Sequence, residues 1–254
     1  MKILLSPAKS MTLTNEVVVP LVSIPEFENE AGFLVSRLVR LSVNEIAKLM
    51  SLSQELAHLN FDRFQNWKSS EQEGEVDSPC AVSFAGEVYR GLRFQEFSSQ
   101  EMLVAQQKIR ILSGLYGILK PLDNIYPYRL EMGTKWSPGK SSKNLYDFWR
   151  EKLTKSLLDE TESEEVIVNL ASNEYAKVLD WKNISRKTVV PLFKEFKNGQ
   201  YKTVMMYAKH ARGAMASYLV KNDLKDVEEL KCYNVDGYSF DDRQSTETEW
   251  FFVR

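Results

Sequence analysis

The sequence predicts an α/β (α+β) fold: one compact domain over residues 1–254, with a mixed β-sheet flanked by helices. Three observations carry this. Short apolar runs of strand length, such as Ile3–Leu5 and Val166–Leu170, interleave with longer segments whose apolar residues recur at helical spacing. Asn198-Gly199 stands between two β-like runs, a strong hairpin signal, so at least one strand pair is antiparallel. No internal repeat, low-complexity tract or linker divides the chain.

Taken in order, Ile3–Leu5 reads as a buried strand stopped by Ser6-Pro7. Val17–Val22, broken by Pro20, is extended or irregular. A helix follows from Glu28 to Arg40. Ser42 with Glu45 makes a capping box that opens a helix towards Leu49, and Ser51 and Ser53 open another to Phe64. Residues 69–79 are the most polar stretch and read as a surface loop. Ala81–Phe84 is a buried strand or the start of a helix. Gln100–Lys108 is helical, Ile109–Leu112 a short strand, and 141–160 a long helix with Leu145, Phe148, Trp149, Leu153 and Leu157 on one face. Val189–Phe196 and Tyr201–Tyr207 form the hairpin, Lys209–Lys221 a helix, and Cys232–Tyr238 and Trp250–Val253 terminal strands.

Bulk properties narrow the function. With 43% hydrophobic and 27% charged residues the chain has the composition of a globular protein. Its net charge of −2 means that nucleic-acid binding has to come from a local basic face. Cys80 and Cys232 make no disulfide framework and are expected to be two buried thiols in a reducing compartment. No apolar stretch approaches the ~18 residues of a membrane span, and the N-terminal apolar run is too short for a secretion signal. A cytoplasmic protein with no membrane association is expected.

Polar residues concentrate in five strings: SPAK (Ser6–Lys9), FAGEVYRGL (Phe84–Leu92), LSGLYGILKPLDNIYPYRLEMGTK (Leu112–Lys135), NLASNEYAK (Asn169–Lys177) and YAKHARGAMASY (Tyr207–Tyr218). With the FKEFKNGQYK hairpin and the ending DGYSFDDRQSTETEWFFVR, they resemble the signature segments of the YaaA family of peroxide-stress proteins, in order and in spacing. The resemblance covers nearly the whole chain. It implies a cytoplasmic role in surviving hydrogen peroxide, by limiting unincorporated iron and oxidative damage. It also implies DNA binding by a compact α/β fold carrying a helix-hairpin-helix-like element and a basic cleft.

The residues offer three places for chemistry. Ser113, Gly114, Tyr116 and Gly117, with Lys120 beyond, could form a glycine turn whose amides approach a phosphate, although the two glycines are three apart where the usual hairpin has them two apart. The competing reading is a strand-to-helix turn packed in the core. From Lys182 to Arg212, eight basic residues (Lys182, Arg186, Lys187, Lys194, Lys197, Lys202, Lys209 and Arg212) face the single acid Glu195. With Arg129 and Lys135 they could track a phosphate backbone, or they could pair with the acidic segments on either side. Third, polar turns follow three expected strands, which suggests one strand-end pocket holding Ser6, Lys9, Glu131, Asn173 and Glu174 as catalytic candidates. Glu131 or Glu174 would be the base, with Lys9, Arg129 or Arg212 holding an anionic or nucleobase substrate. The competing reading there is a hydrogen-bonded network that fixes the fold.

The expected partner is DNA, duplex or branched, bound by a monomer; the alternative is an enzyme on a nucleotide, nucleobase or modified DNA base. No cofactor is expected. Glu55 and His58 have the ExxH spacing of a di-iron helix, but such a site needs two such motifs, and His210 stands between Lys209 and Arg212. Direct iron storage is therefore disfavoured.

Overall fold

The run Ile3-Leu4-Leu5 is wholly buried and forms the heart of β1 (Lys2–Leu5). The structure, a computed structural model, describes residues 1–12, 17–69 and 78–254. After β1 come β2 (Ser10–Met11) and three helices, α1 (Glu28–Leu38), α2 (Val43–Met50) and α3 (Gln54–Gln65). Then follow β3 (Ser78–Pro79), α4 (Cys80–Ser83), β4 (Phe84–Ala85), α5 (Glu87–Leu92) and α6 (Ser99–Lys108). The middle carries β5 (Ile109–Ser113), β6 (Gly117–Leu119), β7 (Asn124–Ile125), α7 (Leu145–Asp159), β8 (Ile167–Asn169) and α8 (Asn173–Ala176). The last part holds β9 (Thr188–Lys197), β10 (Gln200–Lys202), α9 (Met205–Lys221), β11 (Ser239–Phe240) and β12 (Glu249–Val253).

The main sheet has the order β11-β12-β9-β8-β1-β5-β6, with β10 on β9. β1 pairs in parallel with β5 and β8, β8 with β9, and β9 with β12. β6, β10 and β11 add antiparallel pairs, so the sheet is mixed. The carboxyl ends of five strands therefore share one end of the sheet. β1, β5 and β8 are short, mostly apolar runs because helices cover the sheet, with α6 and α9 against β1 and α7 against β6.

Local chemistry sets the helices. Ser42 and Glu45 close the capping box of α2, Ser98 and Glu101 that of α6, and the Asn144 side chain accepts the Asp147 amide to open α7. α9 crosses α5 where two glycines meet. A Cβ on Gly91 would lie 2.0 Å from the His210 carbonyl oxygen, and one on Gly213 would lie 1.7 Å from that of Val88. Only glycine lets these backbones approach so closely. In the hairpin, Asn198 and Gly199 take φ of 55° and 76°, the left-handed pair that an Asn-Gly turn supplies.

Several expectations need correction. Of the two readings at Ala81–Phe84 the helical one holds, over residues 80–83, whereas the second hairpin strand stops at Lys202 because α9 begins at Met205, earlier than its basic residues suggested. The segment around Cys232 forms short helical turns, Val227–Cys232 and Val235–Gly237, with an Asp226–Glu229 capping box, and strand pairing begins only at Ser239. Tyr233 is buried there against Phe193, Tyr218 and Phe252. Cys80 is buried as expected, but Cys232 is exposed. Of the polar 69–79 loop, residues 70–77 lie outside the described residues; Ser78 is buried. No helix among the described residues is long and apolar enough to cross a membrane.

Asp123 fixes the strap that leads into α1. It is 2% exposed and accepts the Ser23 hydroxyl at 2.6 Å and the Lys120 amide at 2.7 Å. Burial pushes its pKa up to about 6, against the pull of those hydrogen bonds. A carboxyl raised in the folded state favours the protonated native form, so its contribution to stability is present below about pH 4 and lost as pH rises through about 6. Between pH 4 and 7, wild type should lose up to about 3 kcal/mol relative to Asp123→Asn, at 1.36 kcal/mol per unit. Urea titrations of both proteins across that range measure the difference.

Candidate functional site

A cavity of 810 Å³ opens between the α2–α3 pair, the loop after β1 and the chain between β7 and α7. α2 brings Glu45 and Lys48, and the turn into α3 brings Ser51. The loop after β1 supplies Lys9, the 129–136 segment supplies Arg129, Glu131, Lys135 and Trp136, and α8 supplies Glu174.

One carboxylate organises the cations. Glu131 receives Lys9 Nζ at 2.6 Å on one oxygen and an Arg129 amine at 3.1 Å on the other. Arg129 Nε is buried and has no partner. Arg63 stands close enough that Arg129 lowers its pKa, in second place behind burial. Glu174 accepts the Gly133 amide at 3.1 Å, and its own carbonyl accepts the Tyr146 hydroxyl at 2.9 Å. Between them, Tyr175 keeps its phenol proton: burial first, then Glu174 and Glu131, push its pKa up. Lys48 and Lys135 are exposed and have no ion-pair partner among the described residues. Glu45 faces back to cap Ser42, whose hydroxyl and amide pull its pKa down. Four cations thus meet three carboxylates, one of which is committed to its helix.

Beneath the loops, the turns after β1 and β8 are stitched together. The Ser172 amide donates to Ser6 Oγ at 2.8 Å, Ser6 Oγ bonds Ser172 Oγ at 3.2 Å, and the Tyr89 hydroxyl donates to the Ser6 carbonyl at 3.0 Å. Ser6 therefore holds the strand ends and does not line the cavity, and neither does Asn173, which opens α8 on the surface.

The Ser113–Gly117 turn is corrected by the structure. It joins antiparallel strands β5 and β6 and is buried, so its amides are out of reach of a phosphate. Ser113 Oγ bonds Tyr128 Oη at 2.6 Å and accepts the Leu115 and Tyr116 amides at 3.2 and 2.9 Å. Tyr116 Oη accepts from Trp67 Nε1 and the Tyr126 amide. A Cβ on Gly114 would lie 2.2 Å from the Leu130 carbonyl oxygen, so this glycine is needed to seat the 129–136 segment. Lys120 lies at the opposite end of the sheet, because β6 runs antiparallel to β5, and it pairs Glu160 at 2.6 Å.

The basic run 182–212 is split by β9, which travels the length of the sheet. Arg186 and Lys187 stay at the amino end, on the Thr161 carbonyl and Glu228. Lys197, Lys202 and Lys209 reach the carboxyl end, exposed. Arg212 is half-buried in α9, where burial draws its pKa down, and like Lys209 it lies outside the cavity. His58 bonds its own helix at the Gln54 carbonyl, and no group of three or more His, Cys, Asp or Glu among the described residues is placed to hold a metal. Glu45 and Ser51 were missed as site residues because their sequence signal is helix capping, and Lys48 because a lysine in the last turn of a helix reads as an ordinary exposed side chain.

A model of the family described as peroxide stress protein YaaA matches residues 1–244. The chain belongs to this family. A UPF0246 protein of Aliivibrio fischeri strain MJ11 is 43% identical over all of this chain and 98% of its own length. Relatives of the same description from Marinomonas sp. strain MWYL1 and Clostridium perfringens strain 13 are 41% and 43% identical, covering 100% and 99% of this chain and 97% and 98% of their own lengths. The family segment at Ser113 gives a test of structural against binding roles. Ser113→Ala should cost about 2 kcal/mol in chemical denaturation, because two buried amides lose their acceptor, whereas a hydroxyl that only met a phosphate would leave stability unchanged.

Proposed function

We propose that the protein acts in the cytoplasm during peroxide stress as a monomer that binds DNA, duplex or branched, over the mouth of this cavity. There it limits oxidative damage and the harm done by unincorporated iron, without storing the metal. The observation that supports this best is the convergence of Lys9, Lys48, Arg129 and Lys135 on one cavity in a chain of net charge −2. The α2–α3 pair serves as the helix-hairpin-helix-like element: three residues join the helices, Ser51 turns through φ 53°, and Ser53 caps α3.

The unpartnered Arg129 Nε favours a second reading, an enzyme acting on a nucleotide, nucleobase or modified DNA base. Arg129 would then hold the anion and Glu131 or Glu174 would move the proton. A thermal-shift screen of nucleotides separates the two readings, since stabilisation by a free nucleotide is required only by the second.

For the first reading, Lys48→Glu with Lys135→Glu should weaken binding of a labelled duplex by at least tenfold and make log affinity less steep in log salt by about 2. Both side chains are exposed and unpaired, so stability should hold. Fluorescence anisotropy at several salt concentrations measures both effects. An unchanged affinity and slope overturn the reading.

A further inference from the structure

The β9–β10 hairpin and the start of α9 carry large apolar side chains in solvent. Phe196 is 57% and Tyr201 40% exposed, and beside them Met205 is 61% and Met206 53% exposed. Phe196 and Tyr201 are cross-strand partners with ring centroids 4.9 Å apart and planes at 52°. A cross-strand aromatic pair ordinarily covers part of a core. This pair stays exposed on the hairpin.

Charge says what it suits. Lys197, Lys202 and Lys209 rim the patch and have no ion-pair partner among the described residues. The hairpin's one acid, Glu195, is already taken: Arg254 Nε donates to both its oxygens at 3.0 and 2.9 Å, and the Tyr238 hydroxyl donates to it as well. The Arg254 guanidinium also lies over the Tyr207 ring at 4.9 Å, which ties the hairpin to the first turn of α9. The surface is thus aromatic at its centre and cationic at its rim, with its acid neutralised from within. Exposed rings between lysines are the means by which proteins hold unpaired nucleotides, the rings stacking on bases and the lysines following the phosphates.

Topology places the patch. β9 continues from Val190 to Lys197 beyond its last partner in β8, in the direction in which β1 leads to Lys9. β9 is the second strand from β1, roughly 10 Å away across the sheet at ordinary strand spacing. We infer that the Phe196–Tyr201 hairpin is a stacking platform for a single-stranded run of nucleic acid that leaves the cavity side of the sheet. This rests on the reading that the cavity binds DNA, and it adds a site that distinguishes unpaired from paired strands.

The test compares two labelled probes, an oligothymidylate of about 20 nucleotides and a duplex of about 20 base pairs. Phe196→Ala with Tyr201→Ala should weaken the oligothymidylate about tenfold with its salt slope unchanged, and the duplex less than twofold. Lys197→Glu with Lys202→Glu should instead lower the salt slope for the oligothymidylate. Both pairs are exposed, and urea denaturation checks that each variant stays folded. An oligothymidylate affinity that survives Phe196→Ala/Tyr201→Ala, or an equal loss on both probes, overturns the platform while leaving duplex binding at the cavity standing. So does a loss confined to sedimentation with anionic phosphatidylserine vesicles or to self-association in size-exclusion chromatography, which would make the patch a membrane or dimer surface. Failure of wild type to bind either probe overturns the cavity reading as well.

Discussion

The parallel pairing of β1 between β5 and β8 is the constraint on which the rest of the molecule depends. It sends the chain out of three neighbouring strands at the same end of the sheet, and the Leu170 amide on the Leu4 carbonyl, at 3.0 Å, carries that pairing to the edge of the turns. The Ser6–Ser172 bonds then fix two of the three exits. The third exit bends back at Gly114, where the missing side chain admits the Leu130 carbonyl, while Ser113 holds Tyr128. Residues 128 and 130 are therefore pinned on either side of Arg129. A methyl group at position 114 would displace Leu130 and, with it, the guanidinium and the Glu131 carboxylate that form the cavity wall. Packing in the core and charge at the surface are coupled through these two residues.

Electrostatics separates the two ends of the sheet. At the amino end, Arg110 and Lys120 share Glu160, each at 2.6 Å. Burial opposes ionisation of that glutamate, yet the two cations win and hold its pKa down. Lys187 and Lys231 share Glu228 in the same manner, and its pKa is lowered too. Four cations at that end are thus held by two carboxylates. At the carboxyl end Glu131 serves two cations, and Lys48 and Lys135 remain over, with Lys197, Lys202 and Lys209 on the hairpin. Exposed ion pairs contribute little to stability, so this asymmetry matters for which surface an anion meets.

Much of the fold was legible in the sequence because its signals are local. Ile3–Leu5, Ile109–Leu112 and Val166–Leu170 announce buried strands by short, mostly apolar runs, Ser42-x-x-Glu45 announces α2, and Asn198-Gly199 announces the hairpin. The strand-end grouping was legible in part: Lys9, Arg129, Glu131, Lys135 and Glu174 do meet at one cavity. What failed depended on partners distant in sequence. The glycines of Ser113–Gly117 look like a phosphate turn, but their purpose is the close approach of Leu130 and the seating of Trp149, whose indole donates to the Gly114 carbonyl at 3.0 Å. The basic run looked continuous because nothing in the sequence says that β9 carries its two halves to opposite ends. Cys232 looked like a buried thiol by residue type, and only the helical turn after Asp226 places it in solvent.

Hydrogen–deuterium exchange on the protein with and without a saturating DNA duplex tests the central claim most directly, because it reads where the ligand sits without altering a side chain. The account predicts slowed exchange in the amides of 41–53 and 131–136, around the α2–α3 turn and the cavity wall, with none at 184–188 on the amino end. Protection confined to 184–188 and the neighbouring Glu228 segment, or no change anywhere under conditions where DNA is bound, would contradict it.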